Sequence, residues 1–405
     1  MVRNQARLPH ISPVFYYLCL LLAFVLTKLV FRLSTTRDPA LKTVKGGLLI
    51  VANHQSYADP LLIATAFPRR PIHFVAGRYL FAGKMRRRLL GWLGVIAKEQ
   101  MRPDASTVRD LIRLARAGRT LFIFPEGQRA VDGRTNPIPA ATGRLIKKLG
   151  LPVAAVRLSG VYLSWPRWAA HGLRPGKVSQ EATLLLTRDE IAALTVEDIN
   201  ARLAAALSVD EYDAQLARRR PRTYRGKNRA EGLDAVLHWC PVCAQPFQLR
   251  ASGTALGCTV CGLQAEMAAS GLLTPDAAQA LPASPAEWHE RQRAAWHRHV
   301  AAHGFSFEAS IYETMDRSGK APRRAVLTLG ENGYAVVFAD GRRVFVPADD
   351  NRALFADYGR YFRLHAGTEP LYIWPDNGQA VIACLDLLLT GYMRPASRDR
   401  FSSDA

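Results

Sequence analysis

Residues 47–60 read GLLIVANHQSYADP, and this stretch decides the fold of the first half of the 405-residue chain. The apolar run at its start has the length of a buried strand, and the polar residues after it begin a loop. Pro60 favours the first turn of a helix, where the amide hydrogen that proline lacks is not needed. The stretch therefore predicts a strand, a short loop and a helix, which is the repeating unit of an α/β sheet.

Runs of the same two kinds recur along the chain. Strand-length apolar runs lie at residues 72–76, 94–97, 120–124, 152–158 and 181–187, and helical patterns at residues 60–67, 106–118 and 141–150. Because the strand runs are apolar throughout, we expect helices on both faces of their sheet. The alternation predicts an α/β domain over about residues 40–210.

An uncharged apolar run, VFYYLCLLLAFVLT, occupies residues 14–27 before this domain. As a helix it would be about 21 Å long, which is shorter than a hydrocarbon core of about 30 Å. If the helix extends to Phe31, it is just long enough to cross the membrane. The alternative is a buried core helix. We predict a membrane-anchoring segment over residues 1–37, either spanning or re-entrant. The basic residues after the run place the rest of the chain at the cytoplasmic face of the cell membrane; they are Arg32, Arg37, Lys42 and Lys45.

The positive charge of the chain is concentrated in one half. Residues 1–230 contain 38 lysines and arginines against 15 acidic residues, a net of +23, whereas residues 231–405 contain 16 against 19, a net of −3. The first half should therefore meet an anionic partner, such as a membrane surface, a phosphorylated substrate or nucleic acid. The basic and apolar stretch at residues 81–92 suits anionic headgroups, although a solvated helix face explains it equally well.

His54 and Asp59 are candidates for acid–base chemistry. Five residues along one helix rotate by about 500°, so the two side chains cannot share a helical face. They can meet only if His54 lies in the loop and Asp59 in the first turn of the helix, an arrangement that Pro60 supports. The alternatives are a loop histidine with a structural partner and an ordinary N-cap aspartate.

The segment FPEGQR ends another predicted strand at residues 124–129. Its carboxylate, Glu126, and its guanidinium, Arg129, flank Gly127, which permits a tight turn or a close backbone approach. Arg129 has the planar fork that binds phosphate in a bidentate manner. The segment therefore predicts an anion-binding loop.

The motifs Asn-His-x4-Asp, Phe-Pro-Glu-Gly-x-Arg and Pro-Val-x-x-Val, in this order within residues 45–205, resemble the glycerolipid acyltransferase family. The resemblance implies a mixed sheet flanked by helices over residues 38–215, with His54 as general base and Asp59 as the residue that orients it. It also implies an acceptor site formed by four residues, namely Asn53, Glu126, Gly127 and Arg129. The chemistry is sound, because an alcohol needs a base within hydrogen-bond reach to attack a thioester.

One departure concerns the acceptor. Family members usually carry an arginine six residues after a glycine, but counting from Gly94 gives Gln100, and only Lys98 and Arg102 flank it as possible substitutes. The resemblance implies transfer of a fatty acyl group from acyl-CoA or acyl carrier protein to a lysophospholipid, with 1-acyl-sn-glycerol-3-phosphate as the expected acceptor and phosphatidate as the product. Another lysolipid acceptor remains the alternative.

Two Cys-x-x-Cys pairs follow a basic linker predicted at residues 216–235. They are Cys240 with Cys243 and Cys258 with Cys261, a spacing typical of a zinc ribbon, which we predict over residues 236–270 with a structural zinc ion. A redox pair is the alternative. A zinc-ribbon nucleic-acid-binding protein is the rival function, but the ribbon holds a single basic residue, Arg250, so no nucleic-acid partner is expected.

The remaining residues predict a connecting helix and a small β-rich domain. The helix lies within residues 271–304, begins at Ser284 and carries His289, which we expect to be solvated like its other histidines. Short alternating runs within residues 305–395 then predict an antiparallel sheet closed by one helix. That architecture resembles the pleckstrin-homology type of fold.

Overall fold

The structure is a computed structural model that describes residues 8–99, 104–169, 172–275, 281–314, 321–348, 354–367 and 369–393. It divides into two compact units. The first comprises residues 1–167 and 172–226, and the second comprises residues 168–171 and 227–405.

The first unit alternates strands and helices as predicted. Its strands are β1 (Ser34–Arg37), β2 (Leu49–Ala52), β3 (Ile72–Gly77), β4 (Ile96–Lys98), β5 (Thr120–Ile123), β6 (Val153–Ser159) and β7 (Ser179–Leu186). Its helices are α1 (Pro13–Phe31), α2 (Asp59–Ala66), α3 (Lys84–Trp92), α4 (Ala105–Arg116), α5 (Ala141–Leu149), α6 (Val161–Ser164), α7 (Arg188–Ala193), α8 (Val196–Leu207) and α9 (Glu211–Leu216). Short 3-10 helices occur at Pro39–Lys42 and Arg78–Phe81.

The seven strands form one mixed sheet in the order β1-β7-β6-β2-β5-β3-β4. The strands from β6 to β4 in this order are parallel to one another, whereas β7 runs antiparallel to β6 and β1 runs parallel to β7. The carboxyl ends of β6, β2, β5, β3 and β4 therefore lie at one edge of the sheet, where the loops that follow them can build a site.

Helices cover both faces of this sheet. Alternate residues of β2 divide between two cores, because successive side chains of a strand point to opposite faces. Ile50 packs with Leu62 and Ile63 of α2, while Leu49 and Val51 pack with apolar residues of α4, α5 and α8. The predicted mixed α/β sheet flanked by helices is confirmed.

Helix α1 lies against the first unit along its whole length. Its buried residues are Tyr16, Leu20, Ala23, Thr27 and Phe31, a spacing that defines one face. The opposite face is apolar and exposed; it includes Val14, Leu18, Leu21, Leu22, Val25 and Leu29. Among the described residues, α1 is the one helix long and apolar enough to cross a membrane.

The second unit contains two antiparallel sheets. Its strands are β8 (Leu249–Ser252), β9 (Ala255–Cys258), β10 (Gln264–Met267), β11 (Leu273–Pro275), β12 (Phe305–Tyr312), β13 (Arg323–Gly330), β14 (Gly333–Phe338), β15 (Arg343–Pro347), β16 (Phe355–Asp357), β17 (Tyr361–Ala366) and β18 (Glu369–Pro375). The sheet orders are β11-β10-β9-β8 and β15-β14-β13-β12-β18-β17-β16. Helices α10 (Pro285–His303) and α11 (Ala380–Leu389) complete the unit, and the predicted antiparallel domain with a closing helix is confirmed.

The expectation that His289 is solvated is wrong. His289 is 1% exposed, and its Nε2 lies 2.8 Å from Oδ1 of Asp386 on α11. The other carboxylate oxygen of Asp386 contacts Nε2 of His238 at 3.1 Å and accepts a hydrogen bond from Gln292 at 3.0 Å. These contacts hold the pKa of Asp386 low despite its burial, so a buried carboxylate ties α10 and α11 together.

Candidate active site

The loop after β2 brings His54 and Asp59 together. Nδ1 of His54 lies 2.8 Å from Oδ2 of Asp59, which also accepts hydrogen bonds from the backbone amides of Gln55 (2.7 Å) and Ser56 (2.9 Å). Asp59 is fully buried in the first turn of α2, with Pro60 at the start of that helix. The geometric condition set by the sequence, a loop histidine facing a first-turn aspartate, is therefore met.

The loop after β5 reaches the same place because β2 and β5 are parallel neighbours. Phe124 and Gly127 close a turn through a backbone hydrogen bond of 3.2 Å, and Gly127 takes a φ of 75° that favours glycine. Oε1 of Glu126 accepts a hydrogen bond of 2.6 Å from the amide of His54. The amide of Ala130 donates to the carbonyl oxygen of His54 at 2.8 Å, so this loop binds both the backbone amide and the backbone carbonyl of His54.

Glu126 is buried, and both of its oxygens have partners. Oε2 accepts hydrogen bonds from the backbone amide of Asn136 at 2.7 Å and from its side chain at 3.0 Å. Burial raises the pKa of Glu126 to about 8, although these hydrogen bonds oppose the rise. The structure thus places Glu126 as a link between the His54 loop and Asn136, a partner that the sequence did not suggest.

Two ring contacts fix the orientation of the site. The ring of Phe124 stacks on the His54 imidazole, with centroids 3.7 Å apart and an angle of 9° between the planes. The guanidinium carbon of Arg129 lies 3.9 Å from the centroid of the Tyr57 ring, a cation–π contact. The Tyr57 ring therefore holds Arg129, which belongs to the loop after β5, against the loop that carries His54, and Gly127 lies at the exposed turn of the Arg129 loop.

The other predicted acceptor residues lie in different settings. Asn53 is fully buried; its side chain donates to the carbonyl oxygen of Leu158 at 2.9 Å and accepts from its amide at 2.7 Å. It joins β6 to the end of β2, and both polar groups of its side chain are used in this link. Lys98 ends β4, three strand spacings from β2 or about 14 Å away. Arg102 lies outside the described residues.

The surroundings of His54 favour its neutral form. Burial lowers the pKa of His54 to about 4, and the positive charges of Arg129 and Arg167 act in the same direction, while Asp59 opposes them. The side chain keeps 15% of its surface exposed. Because Asp59 occupies Nδ1, Nε2 is the nitrogen left to accept a proton. A neutral, oriented and accessible imidazole is the arrangement of a general base.

The four cysteines of the second unit form a separate cluster. Sγ of Cys240 lies 3.6 Å from Sγ of Cys261, and Sγ of Cys243 lies 3.7 Å from Sγ of Cys258. All four sulfur atoms lie within 4.8 Å of one another. A tetrahedral zinc ion with Zn–S bonds of about 2.3 Å requires sulfur atoms about 3.8 Å apart, so these thiols fit zinc.

Comparisons with known proteins agree with the geometry of the first unit. Residues 32–159 match the family model Acyltransferase. Two curated relatives are 1-acyl-sn-glycerol-3-phosphate acyltransferases of chloroplasts: BAT2 of Brassica napus is 26% identical over 130 residues, and LPAT1 of Arabidopsis thaliana is 25% identical over 130 residues. These alignments cover 32% of this chain and 37% and 36% of the relatives, so the chain spans about a third of their length.

Among solved structures, the 1-acyl-sn-glycerophosphate (LPA) acyltransferase PlsC of Thermotoga maritima is similar, with 20% sequence identity and a TM-score of 0.42. The match covers 50% of this chain and 80% of that chain. His54, Asp59, Glu126, Gly127 and Arg129 all lie inside the region that matches the family model. Through residues 32–159, the chain is similar to the glycerolipid acyltransferases.

Proposed function

We propose that this protein is a membrane-associated O-acyltransferase that moves a fatty acyl group from acyl-CoA or acyl carrier protein to the hydroxyl of 1-acyl-sn-glycerol-3-phosphate, giving phosphatidate. The observation that carries the proposal is the 2.8 Å contact between His54 Nδ1 and the buried Asp59 carboxylate, set at a sheet edge beside Arg129. The match of residues 32–159 to the Acyltransferase model and the names of the curated relatives support the same reaction class.

The chemistry follows from the orientation of His54. Nε2 takes the proton of the acceptor hydroxyl as its oxygen attacks the thioester carbonyl, and the carbon–oxygen bond forms. The carbon–sulfur bond then breaks, and the proton passes from His54 to the departing thiolate, so the imidazole returns to its neutral form. Asp59 fixes the useful tautomer and stabilises the imidazolium that exists between the two proton transfers.

The acceptor's phosphate is assigned to the loop after β5. Arg129 has the geometry for a bidentate contact, and its stacking on Tyr57 limits the side-chain entropy lost on binding. Glu126 stabilises this loop through its hydrogen bonds to His54 and Asn136 and does not contact the ligand itself. Lys98, at the far side of the same sheet edge, is left for a more distant part of either substrate.

The test is an acyl-transfer assay with purified full-length protein. Lysophosphatidate, lysophosphatidylcholine, lysophosphatidylethanolamine and lysophosphatidylglycerol are offered in parallel, each with acyl-CoA and with acyl carrier protein as donor. We expect phosphatidate to form at a kcat/KM at least tenfold above that of every other product. Equal use of all acceptors would contradict the assignment of a phosphate monoester, and transfer to none would overturn the reaction.

We also propose that α1 holds the protein at the membrane by lying in the interface. Five residues of one face are buried against the domain over 16 positions, or about 24 Å, which leaves the opposite apolar face for lipid. The amide of Ser12 donates to the carbonyl oxygen of Trp92 at 2.8 Å, so the start of α1 adjoins the basic helix α3. Exposed lysine and arginine side chains on α3 suit anionic headgroups at the cytoplasmic face.

The matched variants Leu18→Glu and Leu216→Glu test this attachment. Both leucines belong to the first unit and are exposed, at 62% and 50%, but only Leu18 lies on the apolar face of α1. We expect Leu18→Glu to abolish sedimentation with phosphatidylglycerol vesicles, while Leu216→Glu sediments like the unchanged protein. Equal binding by both variants would contradict the proposed surface.

We further propose that Cys240, Cys243, Cys258 and Cys261 hold one structural zinc ion. Four thiolates close the coordination shell, so zinc bound there stabilises the fold and leaves no position for a substrate. This arrangement accounts for the cysteine pairs without a catalytic role in acyl transfer.

A further inference from the structure

The segment after β6 carries a second arginine toward His54. Trp165 is tied to the His54 loop because its carbonyl oxygen accepts a hydrogen bond of 2.8 Å from the side chain of Ser56. Its ring lies 5.5 Å from the ring of Tyr57, between centroids, and packs against the core beneath α2. Two residues further along lies Arg167, whose Nε is buried.

The segments that carry Arg129 and Arg167 are therefore both connected to the His54 loop, through the aromatic pair Tyr57 and Trp165. Arg129 stacks on Tyr57, Tyr57 contacts Trp165, and Trp165 leads into Arg167. The positive charges of both guanidinium groups act on His54, where each lowers the pKa of the imidazole. These two guanidinium groups face one carboxylate paired with His54, that of Asp59, because burial raises the pKa of Glu126 to about 8 and favours its neutral form. The excess positive charge suits a dianionic ligand.

We propose that Arg167 is a second phosphate-binding residue of the acceptor site, acting together with Arg129 on the phosphate monoester of the lysolipid. This inference rests on the proposed acyl transfer and specifies its acceptor. It also accounts for Gln100, which stands where related proteins usually have an arginine: Arg167, from the segment after β6, supplies a cation in its place. The acceptor's phosphate, rather than a phosphate of the acyl donor, is assigned because Arg167 and Arg129 both lie beside the residue that deprotonates the acceptor.

Three variants test the proposal. Arg167→Gln removes the charge, Arg167→Lys keeps the charge but not the planar fork, and Arg116→Gln is the matched control. Arg116 is an exposed arginine in the last turn of α4, at the opposite edge of the sheet from His54. For each protein we would measure KM for lysophosphatidate, KM for acyl-CoA, kcat and the midpoint of thermal unfolding.

For Arg167→Gln we expect KM for lysophosphatidate to rise about 10- to 100-fold, the loss typical of one hydrogen bond to a charged group, while KM for acyl-CoA changes less than twofold. Arg167→Lys should recover part of the loss, and Arg116→Gln should match the unchanged protein. Removing the charge also lifts a penalty on the imidazolium of His54, so the acidic limb of the pH–rate profile should move to higher pH.

The proposal is overturned if KM for acyl-CoA rises in place of KM for lysophosphatidate, which would assign Arg167 to the donor. It is equally overturned if Arg167→Gln leaves both constants unchanged, or lowers the unfolding midpoint with no selective change in KM. A binding measurement separates this inference from the proposed function: sn-glycerol 3-phosphate should raise the unfolding midpoint of the unchanged protein, and Arg167→Gln should lose that effect even if no acyl transfer is detected. Equal stabilisation of both proteins would contradict the assignment.

Discussion

The substitution Asp59→Asn isolates the charge of the carboxylate from its shape. Oδ2 of Asp59 accepts three hydrogen bonds, from His54 Nδ1 and from the amides of Gln55 and Ser56. Oδ1 is buried and has no partner in the described part of the chain. An asparagine whose oxygen occupies the Oδ2 position keeps all three hydrogen bonds, so the variant should fold with the loop intact and lose only the negative charge.

The cost to catalysis can be worked from the distance. Unit charges 2.8 Å apart interact by about 6 kcal/mol at an effective dielectric constant of about 20. The amide dipole of asparagine retains part of this attraction, so the imidazolium formed during proton transfer should lose about 3 to 5 kcal/mol of stabilisation. At 1.36 kcal/mol for each factor of ten, kcat should fall about 10²- to 10⁴-fold. The change in KM for lysophosphatidate should be small, because Asp59 is fully buried.

The assay follows release of free thiol from acyl-CoA at saturating lysophosphatidate, with Asp198→Asn as the control. Asp198 is an exposed carboxylate that caps α8 and has no contact with His54, so its replacement should leave kcat within twofold. Circular dichroism and the thermal midpoint report whether Asp59→Asn folds. A folded Asp59→Asn protein that keeps more than a fifth of the original kcat would refute the role given to the carboxylate.

Three further predictions concern pH, the loop after β5 and the metal cluster. A base acts in its neutral form, and the pKa of His54 is lowered to about 4. After correction for ionisation of the acceptor, kcat/KM should therefore stay constant down to about pH 5 and fall with a pKa near 4. A fall with a pKa near 6.5 would contradict this assignment. Glu126→Ala leaves the amides of His54 and Asn136 without their acceptor, so the free energy of unfolding in urea should fall by about 2 to 5 kcal/mol. Glu126→Gln should reduce it less. Equal stability of both variants and the unchanged protein would show that the Glu126 link is dispensable. Metal analysis should find one zinc ion per chain in the unchanged protein and in the control Cys19→Ala, but none in Cys240→Ser. Cys240→Ser should also unfold at a lower temperature. Retention of zinc by Cys240→Ser would show that the four cysteines are not the zinc site.

Much of the first unit follows from local signals in the sequence. The apolar runs predict the parallel strands because strands buried on both faces have no polar alternation. The meeting of His54 and Asp59 follows from their separation and from Pro60, which are both local features. The short strand β1 is different: its sequence, STTR, is polar and mostly exposed, and it exists because it pairs with β7, far away in the chain. No local pattern indicates such an edge strand.

The partners of the site residues also depend on long-range packing. Asn136 reaches Glu126 across a loop, and Asn53 pairs with Leu158, 105 residues away. Arg167 carries no motif, and only the hydrogen bond between Ser56 and Trp165 reveals where its segment lies. The polar sequence of its helix predicts a solvated His289, but the burial of His289 against Asp386 depends on α11, which lies far along the chain. Residue type and spacing predict the chemistry, whereas the tertiary structure decides which polar groups support it.

The central claim is that His54 is the base that activates the acceptor hydroxyl. The most direct measurement compares phosphatidate formation by the unchanged protein and by His54→Ala, in the same vesicles, with lysophosphatidate and acyl-CoA. We expect the unchanged protein to form phosphatidate and His54→Ala to form it at least about 10³-fold more slowly, which is the order of magnitude that a general base contributes. His54→Ala should keep its vesicle binding and its unfolding midpoint. Phosphatidate formation by a folded His54→Ala protein at the original rate would contradict the claim.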